Sequence, residues 1–339
     1  MNPSRAAYGH TAATTGAFER YLENAIDQLD PTAPTRALIR AHFALDDPAA
    51  QRGKRLRPRI LLAVAESEGA AAESAFAAAA SVELLHNYSL VHDDIEDRDR
   101  MRHGRPTLWA TYGDAAAITA GDAMCALSYL TLLRDDGRAP DTVVAMTASL
   151  HRAHYELCRG QGLDIGFETA LAVSFAEYTA MIDGKTAALF AASCELGALA
   201  AGAAPERAAA YARMGRAYGL AFQIRDDILG TWGSPAETGK PAGADIRRRK
   251  WSFPVAWALN GPASAARDTV AGVYGVVGAP DDERADAVIA ALERMGAHAA
   301  ADAACDAAIA NAVALGAEHG LDAGGELAHL FASTARRTA

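Results

Sequence analysis

Two acidic clusters, Asp93-Asp94-Ile95-Glu96-Asp97 and Asp226-Asp227-Ile228-Leu229-Gly230, constrain this chain more than any other feature. Each closes a long, mostly apolar run with helical periodicity, and carboxylates seldom end a buried face without a partner. They lie about 130 residues apart and predict two helices facing each other across a shared pocket. Hard cations are the natural counterweight, and Mg²⁺ in such a place usually brings substrate phosphates. On a helix, Asp93 and Asp97 share one face and can bridge cations. Asp94 is rotated by about 100° and falls behind them. The second cluster ends in Gly230 and offers Asp226 as a ligand with Asp227 in support, so the two sites are predicted to be unequal. For either cluster alone, a solvated acidic helix end is the plain alternative; the pair together favours metal.

With 339 residues, 51% of them hydrophobic and only 7% aromatic, the chain can bury a large core through small side chains on helices. Helical patterns run over about 71–97, 114–134, 142–168, 177–201 and 205–229. A loop rich in Gly, Pro and charge covers 230–249, and a break falls at 275–281. No strand run stands out. Residues 1–15 are expected to be disordered, and 16–339 to form a single all-α domain. The net charge of −10 argues against nucleic acid as a partner. Four cysteines without CxxC spacing predict a reduced, cytoplasmic protein with buried thiols. No apolar run reads as long enough to span a membrane, and the N-terminus lacks a signal-peptide core.

Basic residues cluster near both acidic segments. Arg52-Gly53-Lys54-Arg55-Leu56-Arg57-Pro58 is a compact loop ahead of a helix, where Lys54 and Arg57 could grip one phosphate. Arg98, Arg100, Arg102 and Arg105 follow the first cluster, and Lys185, Lys240 and Arg247 to Lys250 supply further charge. Most such cations are surface groups taken singly. The stretch from Thr238 to Lys250, with its glycines and both signs of charge, has the composition of a lid closing over phosphate.

Together these residues resemble the trans-polyprenyl diphosphate synthases over about Gly53 to Pro254. The motifs that carry the resemblance, in order, are Gly53–Pro58; His86 with Asp93–Asp97 and Arg102; Gly160-Gln161 with Asp164; Lys185-Thr186; and Gln223 with Asp226-Asp227, followed by Gly239-Lys240 and Asp245–Lys250. The resemblance implies an isoprenoid-synthase-type bundle of long helices around a central cavity, working as a cytoplasmic homodimer. It implies Mg²⁺-dependent head-to-tail condensation of isopentenyl diphosphate with an allylic diphosphate. Asp93, Asp97 and Asp226 would hold about three Mg²⁺ ions, with Asp94, Gln161, Asp164, Asp227 and Asp245 behind them. Arg102, Lys185 and Lys240 would bind the allylic diphosphate, Lys54, Arg57, His86 and His103 the isopentenyl diphosphate, and Lys250 would be a further substrate-binding cation. Thr186 and Gln223 would line the reacting carbons, and with Lys185 they would form the catalytic set.

The chain departs from the family's usual pattern at Gly230 (commonly Asp), at His103 (commonly a second Arg) and at Arg249 ahead of Lys250 (commonly Gly). Tyr88 and Ser89, five and four residues before Asp93, lie where bulk sets product length; one aromatic beside a small residue implies a C20 product, with C15 next. Met124, Cys125 and Leu127 on the following helix are candidates for a deeper floor, though ordinary core is the plainer reading. His92 is read as supporting or packing rather than as a metal ligand, His151 and His154 as surface or core histidines, and Trp109, Trp232 and Trp251 as volume-filling residues. A class I terpene cyclase is the competing function, disfavoured because the second motif lacks the Asn, Ser and Glu such enzymes use. A non-catalytic subunit of a two-chain synthase is disfavoured by the intact first cluster, and prenyl transfer to an unusual acceptor is a weaker possibility.

Overall fold

Alanine and leucine over long uninterrupted stretches favour helix, and helices dominate. The computed structural model describes residues 12–47, 49, 53–135, 137–235, 241–321 and 326–335. In chain order the elements are α1 (Ala12–Asp27), α2 (Pro34–Phe43), α3 (Leu56–Ser67), a 3₁₀ turn (Ala72–Ala75), α4 (Phe76–Glu96), the strands β1 (Met101–Arg102) and β2 (Arg105–Pro106), α5 (Leu108–Tyr112) and α6 (Asp114–Leu133). Then come α7 (Pro140–Phe167), α8 (Phe175–Ile182), a π-helical turn (Asp183–Ala187), α9 (Ala188–Ala200) and α10 (Pro205–Trp232). The chain ends with α11 (Ala244–Arg247), α12 (Phe253–Leu259), α13 (Ala265–Tyr274), α14 (Asp282–Arg294), α15 (Ala297–Glu318) and α16 (Glu326–Ala335).

Local chemistry sets several boundaries. Pro34 opens α2 at a position where its missing N–H costs nothing. Ser174 and Glu177 form a reciprocal capping box at the start of α8. Asp281 caps α14 by accepting from the Arg284 N–H at 2.8 Å.

The all-α expectation holds, with additions. β1 and β2 pair antiparallel around a two-residue turn. Both turn residues, His103 (φ 50°) and Gly104 (φ 75°), have positive φ, the geometry that matches the twist of a tight hairpin. α1 begins at Ala12, inside the stretch expected to be disordered. The run expected as one helix over 177–201 is interrupted by the π-turn, which leaves no mark on hydrophobic periodicity. α10 continues to Trp232, past the expected loop start, and α11 gives that loop a helical turn.

Contacts divide the chain into two compact units. The first comprises Met1–His151, Ala192–Ala212 and Gly324–Leu327; the second comprises Arg152–Ala191, Arg213–Ala323 and Ala328–Ala339. In the first, α4 packs on α3 and α6, and its Val82, Leu84 and Leu85 are fully buried. Each such buried aliphatic side chain contributes roughly 1.5–3 kcal/mol. Close approach is built in: a Cβ on Gly197 would lie 2.4 Å from the Leu61 carbonyl. In the second, Tyr178, Ile182, Ile228, Trp251, Phe253 and Tyr274 belong to one buried cluster.

Among the described residues, α6 and α15 are long and apolar enough to cross a membrane by length and composition. That corrects the expectation that no such run exists: alanine is apolar enough to raise the average over a long helix. All four cysteines are free; Cys194 and Cys305 are buried, Cys125 is half-buried, and Cys158 is exposed rather than buried as expected.

Candidate active site

In the first unit the basic loop is organised by a residue that sequence reasoning passed over. Arg55 precedes α3 with a left-handed backbone (φ 49°). Its buried guanidinium donates to Glu19 and Glu83, both at 2.7 Å, and lies 5.3 Å from the Phe43 ring centroid. Glu83 also accepts from Asn87 Nδ2 at 2.9 Å, and Asn87 Oδ1 accepts from His42 Nε2 at 2.9 Å. Buried charge persists only when paired and hydrogen-bonded, so this chain of partners fixes the loop. Glu83 was the available signal: a lone carboxylate inside the alanine-rich run of α4.

With Arg55 turned inward, Lys54 is exposed, and Arg57 reaches His86, its Nη1 lying 3.1 Å from Nε2. Arginine only donates, so His86 accepts at Nε2 and carries its proton on Nδ1. Burial, and then the Arg57 charge, holds His86 well below the ordinary imidazole range, so it is neutral.

At the end of α4, Asp93 and Asp97 are half-buried and one turn apart; the Asp97 N–H bonds to the Asp93 carbonyl at 2.8 Å. Asp94 is buried and engages Arg102: Nε lies 2.9 and 3.1 Å from the two carboxylate oxygens, and Nη2 lies 2.8 Å from Oδ1. The hairpin exists in the right place to return Arg102 to α4. Asp94 is thereby committed to a guanidinium, leaving Asp93 and Asp97 as the pair that shares a face. His103, at the hairpin turn, is exposed. Desolvation and the neighbouring Arg102 charge lower its pKa, making it a weak cation at neutral pH.

Tyr88 meets His92 edge to face at 4.9 Å, and the buried Ser89 hydroxyl donates to the His86 carbonyl at 2.8 Å. His92 packs against α6, where a Cβ on Gly121 would lie 2.3 Å from its Nε2. Met124 and Leu127 on α6 are fully buried and Cys125 half-buried. His151 stacks on Tyr129 at 3.8 Å, and the Trp109 ring centroid lies 5.4 Å from the Arg98 guanidinium and 5.5 Å from that of Arg100.

The second unit assembles its polar residues by bringing backbones unusually close. A Cβ on Gly160 would lie 2.1 Å from the Lys185 nitrogen, one on Gly184 would lie 2.6 Å from the Glu156 carbonyl, and one on Gly219 would lie 2.5 Å from the Ala187 Cα. Only glycine permits these crossings. They set α7 and α10 against the π-turn, a feature that recurs at functional sites. Lys185 then reaches Asp164, Nζ to Oδ2 2.5 Å. Burial alone would raise Asp164, but the charges of Lys185 and Lys250 hold it below the usual carboxyl range.

The Thr186 hydroxyl donates to Gln223 Oε1 at 2.6 Å, and Gln223 Nε2 donates to Asp227 Oδ1 at 2.8 Å. The other Asp227 oxygen accepts from the Tyr178 hydroxyl and the Phe253 N–H, both at 2.7 Å. Burial, reinforced by Asp245, pushes Asp227 up to about 7. Asp227 is therefore a hub of positioning bonds, while Asp226 beside it is half-buried. A Cβ on Gly230 would lie 1.9 Å from an Asp245 carboxylate oxygen: the carboxylate missing from the second motif leaves room that Asp245 fills. Gln161 and Lys250 are half-buried in the same unit. Arg247 pairs with Asp282 at 2.5 Å and Asp286 at 2.6 Å on α14. Lys240, with Thr238 and Gly239, lies outside the described residues, as does Arg52.

Among the described residues, no three His, Cys, Asp or Glu side chains converge into a group able to hold a metal ion. The donor chemistry still suits Mg²⁺, which needs only one or two carboxylates when it keeps waters and takes phosphate oxygens.

The polyprenyl synthetase family model matches residues 42–292. A (2E,6E)-farnesyl diphosphate synthase of Mycobacterium tuberculosis is 44% identical over 272 residues, 78% of this chain and 74% of that protein. A geranylgeranyl diphosphate synthase of Methanosarcina mazei is 38% identical over 233 residues, 69% of this chain and 71% of that protein. The crystal structure of a polyprenyl synthetase from Streptomyces coelicolor superimposes with a TM-score of 0.85 at 32% identity, over 96% of this chain and 97% of that one. Motif order, fold and relatives agree, and the chain belongs to the polyprenyl synthetase family of prenyltransferases.

Proposed function

We propose that this chain joins isopentenyl diphosphate head to tail to an allylic diphosphate, releasing pyrophosphate and a trans-prenyl diphosphate of C20, with C15 the next choice. The carrying observation is the division of labour on α4, where Asp94 is bound to Arg102 while Asp93 and Asp97 share a face. That arrangement suits a diphosphate held by metal on one side and a guanidinium on the other. Asp93, Asp97 and Asp226 are the proposed Mg²⁺ ligands, supported by Asp94, Gln161, Asp164, Asp227 and Asp245. Magnesium, about three ions when bound, would neutralise the leaving diphosphate.

Arg102, Lys185, Lys240 and Lys250 bind the allylic diphosphate in this reading; Lys54, Arg57, His86 and His103 bind the isopentenyl diphosphate. The allylic C–O bond breaks with its electron pair going to pyrophosphate, the isopentenyl double bond attacks the cation, and the proton lost goes to the departing pyrophosphate. Thr186 donates its proton to Gln223, so its oxygen presents lone pairs to developing positive charge. Tyr88 and Ser89 set product length. The catalytic domain is taken to span 16–339 of a cytoplasmic homodimer, which light scattering would check; α6, packed on α4, is read as a core helix rather than a span.

The test is mass spectrometry of products from the purified chain with Mg²⁺, isopentenyl diphosphate and C5, C10 or C15 starters. A C20 prenyl diphosphate, lost on chelation and regained with Mg²⁺, is expected. No elongation with any starter sinks the reading. A cyclic hydrocarbon from an allylic diphosphate alone would establish a cyclase, and elongation only with a second chain added would establish a partner subunit.

A further inference from the structure

Arg249 stands where the family commonly has glycine, and its backbone is left-handed (φ 56°). Glycine adopts that conformation freely, whereas other residues are strained there and need a compensating contact. The side chain is 2% exposed. Its guanidinium donates to the carbonyls of Glu168 at 2.7 Å, Ala170 at 2.6 Å and Tyr274 at 2.6 Å, more weakly to that of Phe167 at 3.5 Å, and lies 5.5 Å from the Tyr274 ring centroid. Phe167 ends α7, and Glu168 and Ala170 follow it. Carbonyls at a helix end lack intrahelical partners, and a cation there also meets the negative end of the helix dipole. Among the described residues, no carboxylate pairs with this guanidinium.

The same contacts reach the polar residues of the second unit. α7 carries Gln161 and Asp164. The Tyr274 hydroxyl donates to the Lys250 carbonyl at 3.0 Å, and Trp251 meets the Tyr274 ring edge to face at 5.1 Å. The Lys250 N–H bonds to the Asp245 carbonyl at 2.8 Å, and the Phe253 N–H bonds to Asp227 Oδ2 at 2.7 Å. Arg249 thus sits inside a short segment with Asp245 at one end and the Asp227 contact at the other.

We propose that Arg249 is a positioning residue: by tying the segment 245–253 to the end of α7, it sets Lys250 and the Phe253 amide beside Asp164 and Asp227, and so sets the affinity for the allylic diphosphate. This rests on the prenyl-transfer reading above. It also gives this departure from the family a role, since a glycine would fit the backbone and lose the tie.

Arg249→Gly and Arg249→Lys, compared with wild type in steady-state kinetics and amide hydrogen exchange, test the proposal. The glycine variant is expected to raise KM for the allylic diphosphate about tenfold, leave KM for isopentenyl diphosphate within about twofold, and speed exchange at Phe253. The lysine variant, which still donates to carbonyls, should recover part of the loss. A lowered melting temperature with both Michaelis constants unchanged would make Arg249 a stability anchor only and overturn the proposal. If the glycine variant does not fold, the lysine variant carries the same test. Failure of the functional reading shows separately, as absence of turnover in wild type. Positioning is then judged by calorimetry with inorganic pyrophosphate and Mg²⁺, where equal Kd for wild type and variant overturns it.

Discussion

Adjacent aspartates on α4 differ in task because the backbone rotates by about 100° between them. Asp93→Ala should abolish turnover at saturating Mg²⁺, whereas Asp94→Asn should leave residual turnover. Its main effect should be weaker allylic diphosphate binding, because Arg102 loses a charge-assisted bidentate contact of about 1.5–3 kcal/mol. Initial-rate kinetics on both variants check this, and near-normal activity of Asp93→Ala would refute the assignment of the first site. His42 offers a pH test. Burial pushes it down to about 4 from 6.5, so between those values the unfolded chain binds a proton that the folded chain does not. Its contribution to stability is complete above pH 6.5 and declines as pH falls through that window, by at most about 1.4 kcal/mol per pH unit. His42→Gln should therefore flatten the acid limb of a denaturation series; an identical slope would show that His42 does not titrate this way. At this scale the sequence made the metal candidates legible, since charge at helical spacing is a local signal. The Arg55–Glu83 pair was hidden because its members are far apart in the chain, and Arg249 because its partners are backbone carbonyls, which no side-chain pattern reveals.

Elements were legible where periodicity persists and illegible where geometry departs from it. The expected helices over 71–97, 114–134 and 142–168 correspond to α4, α6 and α7 within a few residues. The π-turn and the hairpin were missed: the first shifts the hydrogen-bond register without changing composition, and the second is held by a two-residue turn rather than by a strand pattern. Glycines at the crossings position the second unit's polar residues, so Gly160→Ala should force α7 away from the π-turn. Overpacking of this kind costs about 1–3 kcal/mol, and the Lys185–Asp164 contact should open with it. Unchanged stability and activity would show that the crossing relaxes without consequence. On α4, Tyr88→Ala should lengthen the prenyl product and Ser89→Phe should shorten it, as read by mass spectrometry. Unchanged lengths in both would remove these residues from the floor.

For the whole molecule, the excess of carboxylates does not conflict with a phosphate-bearing substrate, because cations are concentrated beside the aspartates of each unit. Composition carried the fold class, and motif order carried the family. The apolar length of α6 and α15 was missed because alanine raises the average hydropathy of a long helix without forming a conspicuous run of large apolar residues. Among the described residues, Ala44, Arg55, Arg98, His103 and Arg249 are the non-glycine positions with positive φ. The three arginines have contacts that offset the strain, and His103 makes the hairpin turn. Ala44, closing α2, has no functional group to do so. Replacing it with glycine should relieve about 1 kcal/mol of strain, less what the looser denatured chain regains, for a gain of about 1 °C in calorimetric Tm. Reserve for tolerating otherwise damaging changes elsewhere in the enzyme would thus come from a helix end remote in sequence from both acidic clusters.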